Sequence, residues 1–196
     1  MKTPFRMMAL VLSVMASNAA ISGPSGVTVN PDSESGTQST GGHVNFTGSI
    51  TDTSCNVDTN SANQEVDLGK WASSYFNGPG TETTKTAFHI KVKDCPDSVK
   101  TVAVLFDGKH DETDQRLLAI NTGEGTASGV AIQLLESDQS TPIEVGEVTH
   151  QYPVDQGHDE ETGSADLTFY ANYKATTDSV GVGEANAVAN FNMIYN

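Results

Sequence analysis

From Ala187 to Tyr195 the chain alternates strictly. Ala187, Ala189, Phe191, Met193 and Tyr195 share one parity, and Val188, Asn190, Asn192 and Ile194 the other. A period of two sends successive side chains to opposite faces, so this segment predicts a strand with one apolar face. Such a strand needs a second layer to cover that face, which restricts the chain to packed sheets. The alternation runs to the last residue of the sequence, without a tail.

The same signal recurs upstream. Val44, Phe46, Gly48 and Ile50 alternate with polar residues and predict a half-buried strand. Further strands are expected at 66–68, 88–92, 99–106, 129–135, 143–145 and 167–173, with Asp107-Gly108 as a turn. No segment predicts an amphipathic helix, although 71–76 and 117–120 each fit a helical turn. Seven to nine short strands in one domain predict an all-β sandwich.

The first 42 residues are of a different kind. Lys2 and Arg6 precede an apolar run over 7–16 and then Ser17-Asn18-Ala19-Ala20, the layout of a secretory signal peptide. Residues 1–19 are therefore expected to be a leader, cut after Ala19 or Ala20. Residues 20–42 are small, polar and rich in Gly and Ser, and predict an N-terminal arm and linker ahead of a domain over 43–196. Within the arm Ile21, Gly23, Ser25, Val27 and Val29 share one face of an extended strand, and Pro31 ends it.

The chain carries 25 acidic against 10 basic residues, a formal net charge of −15, and removal of Lys2 and Arg6 with the leader makes it more negative still. Such a charge repels nucleic acid and anionic membrane and keeps an exported protein dispersed. Cys55 and Cys95 are the two cysteines. In an oxidising compartment an isolated pair points to one disulfide, against the alternatives of two free thiols or part of a metal site. No nucleophile elbow, zinc-protease motif, phosphate loop or calcium-loop spacing is present. The acidic stretches Asp107–Asp114 and His158–Glu161 read as exposed loops. No catalytic residue, cofactor or metal is expected.

Two features are left: an arm with same-face apolar residues, and a terminal strand with an edge to offer. An open strand edge is a template for another chain, and an extended arm is a strand to donate.

The residues resemble the pilin subunits of bacterial chaperone–usher fimbriae of the type 1-like kind. The resemblance rests on Gly42 to Ile50 as a first strand, Cys55-Asn56-Val57, Phe88 to Cys95, Phe106-Asp107-Gly108, Ala127 to Leu134, Leu167 to Tyr173, and Gly181 to Tyr195. In the last of these, Tyr195 and Gly183 match the tyrosine and glycine of the family's C-terminal motif. The resemblance implies an incomplete immunoglobulin-like sandwich, completed by a strand from a neighbouring subunit. A periplasmic chaperone would first lend that strand and capture the carboxylate of Asn196. At an outer-membrane usher the arm of the next subunit would replace it. Phe191, Met193 and Tyr195 with Gly183 would form one side of the acceptor groove, and Val44, Phe46 and Ile50 the other. The chain would pass through the periplasm to the cell surface, as a fimbrial subunit without enzymatic activity that supports adhesion. The alternatives are a tip adaptor or an adhesin, in which Trp71, with Tyr75 and Phe76, would offer an aromatic platform to a host glycan. Gly23 and Ser25 depart from the bulky residues usual in such arms.

Overall fold

The computed structural model describes residues 43–50, 54–157 and 162–196. The expected leader, the arm and the loop at 158–161 lie outside them. Backbone contacts divide the chain between Gly48 and Ser49, and the sandwich lies wholly in the second unit.

Nine strands are assigned: β1 (Asn56–Val57), β2 (Thr86–Cys95), β3 (Thr101–Gly108), β4 (Leu118–Ala119), β5 (Val130–Leu135), β6 (Pro142–Ile143), β7 (Tyr152–Pro153), β8 (Gly163–Ala175) and β9 (Ala189–Tyr195). One turn of helix, α1 (Thr59–Ala62), and a 3-10 turn at Ser73–Tyr75 complete the regular structure. The larger sheet runs β1-β2-β8-β5-β4, with β6 also on β5, and the smaller runs β7-β3-β9. All named pairs are antiparallel.

The core forms where the alternating faces of the two sheets meet. Phe169 of β8 is fully buried and packs edge-on against Phe106 of β3, with ring centroids 5.2 Å apart. Phe88 of β2 closes the triangle, 5.7 Å from Phe169 and 5.9 Å from Phe106. Ile90, Val102, Val104 and Leu167 surround it. An edge-to-face arrangement suits rings with a negative face and positive edge.

Cys55 and Cys95 are joined, tying the segment ahead of β1 to the end of β2. Asp94 adopts φ +53° at the register shift between Val92 and Cys95, so the strand bulges one residue before the disulfide. Its carboxylate accepts from Asn56 Nδ2 at 3.0 Å and from Thr162 Oγ1 at 3.2 Å. Those bonds hold its pKa below the usual value, the Asn56 bond most of all. Cys95 stands opposite Gly163, where a Cβ would lie 3.0 Å from Cys95 Cβ. Glycine is what lets β8 pass the bridge.

Several expectations are corrected. Residues 43–50 form no strand, and Val44, Phe46 and Ile50 are exposed at 73%, 93% and 103%. An alternating segment gains strand structure only from a paired edge and a covered face, and no described strand pairs with it. The expected strand at 66–68 is irregular. Residues 117–120 make β4 rather than a helical turn, because Leu118 and Ala119 find Ile132 and Ala131 across from them. Asp107-Gly108 does not turn but closes β3, opposite Asn190 and Ala189.

Candidate assembly groove

β9 is paired on one side only. Its residues from Ala189 to Tyr195 register with β3 from Gly108 to Val102. On the other side no described strand meets it. Beyond the strand end, Asn196 N–H donates to Thr101 O at 2.9 Å, and Thr101 N–H donates back to Asn196 O at 2.9 Å. Lys100 N–H adds a bond to the same oxygen at 2.6 Å. A pair that exchanges both bonds fixes the alternation along an antiparallel strand. Ile194, Asn192 and Asn190 therefore bond toward β3, and Tyr195, Met193, Phe191 and Ala189 present N–H and C=O to the open edge.

Beside that edge the sheets part into a groove of about 1550 Å³. Phe88, Ile90, Phe106, Ile132, Ala171 and Tyr173 contribute to its floor, and Phe76 and the segment Val180–Phe191 to its walls. The side chains of Phe191, Met193 and Tyr195 turn to the core and are only partly buried. Burial pushes the Tyr173 and Tyr195 phenols up, the former with help from the Asp67 and Glu184 carboxylates, so both stay neutral at ordinary pH. Tyr173 Oη donates to Ala185 O at 3.0 Å and Tyr195 Oη to Cys55 O at 3.1 Å. The second bond anchors the end of β9 to the disulfide. An apolar groove under an unpaired strand is a surface that monomers do not leave bare.

Gly183 stands at one end of this groove, and its role is visible. Ala127 N–H donates to Glu184 O and Glu184 N–H to Gly125 O, both at 2.9 Å. A Cβ on Gly183 would overlap Thr126 C and approach Ala127 N to 2.5 Å and Gly125 O to 2.6 Å. The absence of a side chain lets the approach to β9 lie against the segment that feeds β5.

Trp71 Nε1 donates to Leu68 O at 2.8 Å, and its ring sits 5.0 Å from that of Tyr75. Phe76 packs against the core. The trio thus contacts itself and the domain before it offers a face to solvent. A smaller recess, about 720 Å³, lies along α1 and β2 and includes Asp58, Gln64, His89 and Lys91. Its charges are partly satisfied, since Asp166 pairs with both His89 Nδ1 and Lys91 Nζ at 3.0 Å. No group of three or more acidic, His or Cys side chains among the described residues could hold a metal ion.

Residues 44–196 match the fimbrial protein family. The chain is 36% identical over 156 residues to the S-fimbrial protein subunit SfaG of Escherichia coli, across 79% of this chain and 83% of that one. It is 37% identical over 158 residues to the fimbrial subunit type 1 of Salmonella typhimurium, with the same coverage. The chain belongs to the fimbrial protein family. This fimbrial protein is a structural subunit, the role its sequence predicts. Among solved structures it is similar to an antigen and type I fimbria protein of Burkholderia pseudomallei, with TM-score 0.54 and 34% identity over 74% of this chain and 91% of that one. A chain of a chaperone–usher pilus matches with TM-score 0.58 and 22% identity, covering 83% of this chain and 99% of that one, a likeness of fold alone. The all-β, immunoglobulin-like sandwich with one strand position open is borne out by the two sheets and these neighbours.

The fimbrial protein's groove floor was not legible as a site. Phe88, Phe106 and Tyr173 carry the inward parity of their strands, which marks core. Only the missing strand beside β9 turns part of that core into a floor.

Proposed function

We propose that this fimbrial subunit polymerises by giving residues 20–32 as a strand to the open edge of β9 in the next copy. The supporting observation is that edge: four residues with free backbone groups above an apolar groove. Main-chain hydrogen bonds would supply the affinity and alternate side chains the register. Ile21, Gly23, Ser25, Val27 and Val29 face inward in this reading. Val44, Phe46 and Ile50 are the opposite wall, gaining strand structure once an inserted strand offers them an edge.

Before assembly the same groove would be covered by a strand from a periplasmic chaperone, which takes hold near Asn196. An outer-membrane usher would then direct the exchange that places the subunit in a surface fimbrium. The polar stretch Ser33–Thr40 is the joint between neighbours, and its composition makes it a flexible one. Deletion of residues 20–32 tests the reading. The shortened chain is expected to keep its chaperone complex and form no polymers; polymers of normal length from it would refute strand donation.

A further inference from the structure

The groove and the arm together select one register, on the reading that the arm is donated. The inward positions ahead of and along β9 run Ala187, Ala189, Phe191, Met193, Tyr195: two small residues, then three large ones. The arm's inward positions, read backwards, run Val29, Val27, Ser25, Gly23, Ile21. Facing positions pack to density when large meets small. Antiparallel, with Val29 opposite Ala187, four of the five pairs do so: Val29 with Ala187, Val27 with Ala189, Ser25 with Phe191, Gly23 with Met193. Ile21 with Tyr195 is the exception, at the end of the arm. A shift of two residues in one direction sets Val27 against Phe191. A shift in the other sets Ile21 against Met193 and leaves Ser25 with Ala189. A parallel strand sets Val27 against Met193 and Val29 against Tyr195.

We infer that the arm inserts antiparallel to β9 with Ser25 opposite Phe191 and Gly23 opposite Met193. The crowding there has a structural source. Phe191 stands across from Phe106 and Met193 across from Val104 on β3, and Phe106 belongs to the three-ring cluster with Phe88 and Phe169. The middle of the groove is already filled from below, so the arm carries Gly and Ser where it crosses and Val where β9 has alanine. Proline fits the same register. The open edge bonds through Ala189, Phe191, Met193 and Tyr195, so the arm's odd residues make the ladder to β9. Pro24, which has no N–H to give, falls opposite Asn192 at a position that makes no bond to β9.

Outward-facing pairs read the register directly. Gly26 then faces Asn190, and Thr28 faces Val188, at non-hydrogen-bonded positions where Cα atoms stand about 4.5 Å apart, within disulfide reach. A slip of two residues moves the partners to about 8 Å, beyond it. The full chain carrying Gly26→Cys with Asn190→Cys, or Thr28→Cys with Val188→Cys, is expected to yield fibres that stay a covalent ladder in hot detergent. Reductant should collapse that ladder to monomer. Gly26→Cys combined with Val188→Cys or with Asn192→Cys should lose the ladder. A ladder from either of these shifted pairs, or none from all four variants in fibres seen intact by electron microscopy, overturns the register. An unsubstituted chain that forms no polymer overturns strand donation itself, and the register with it.

Discussion

Replacing Gly183 with alanine separates a folding role from a contact role. Glycine stands there at φ +155° with its Cα against the 125–127 backbone. A side chain held in that region costs about 1–3 kcal/mol. The neighbouring atoms are backbone and cannot rotate away. The added methyl forces apart the two hydrogen bonds that join Gly125 and Ala127 to Glu184, each worth about 1 kcal/mol. The total is about 3–5 kcal/mol, a large part of the roughly 5–15 kcal/mol that holds a domain together. Urea unfolding of the disulfide-intact protein, followed by Trp71 fluorescence, is expected to show a midpoint lowered by about 2 M, given a slope of about 2 kcal/mol per molar. Gly123→Ala is the control, because a Cβ there meets nothing within 4 Å; its midpoint should stay within error of the parent. An unchanged midpoint for Gly183→Ala, with chaperone binding lost, would refute the packing argument and assign the glycine to the partner's surface.

Cys55→Ser or Cys95→Ser opens a loop spanning 40 residues of separation and is expected to remove about 4 kcal/mol; periplasmic yield and the thermal midpoint measure it. Phe169→Ala empties the centre of the ring cluster and should cost about 3–5 kcal/mol, read by the same urea transition. Tyr152 Oη donates to the buried Glu136 carboxylate at 2.5 Å, and burial first, then that bond, pushes the phenol up to about 12. A folded-state value raised above the ordinary 10.0 gives stability that is whole below pH 10 and lost as pH rises toward 12. Tyr152→Phe should flatten that alkaline loss in a melt-against-pH series, and an equally steep loss in the variant would assign it elsewhere.

The strands that carry both faces of the core were legible because period two survives burial: 88–92, 129–135, 167–173 and 187–195 each sit inside an observed strand or overlap it closely. The arm and the terminal strand were legible as partners for the same reason. Other parts were hidden for identifiable causes. β4 and β6 are two residues each, and their structure comes from β5 rather than from their own sequence. β7 is marked by Pro153, which argues against a strand until its edge position on β3 is seen. Residues 44–50 show the opposite case, a strong pattern without a strand, since alternation states a capacity to pair and not a partner. Gly183 was recognised by its place in a motif, yet its physical reason lay in a loop 56 to 58 residues earlier. The groove floor was invisible because its residues differ from core residues only in which neighbour is missing.

Hydrogen exchange along β9 tests the central claim most directly. In the free subunit the amides of Asn190, Asn192 and Ile194 are predicted to be protected by β3, and those of Ala189, Phe191, Met193 and Tyr195 to exchange freely at the open edge. A synthetic peptide of residues 20–32 should protect the second set and leave the first unchanged. Protection of Phe191 and Met193 before the peptide is added, or no gain on adding it, would contradict an open edge that receives the arm.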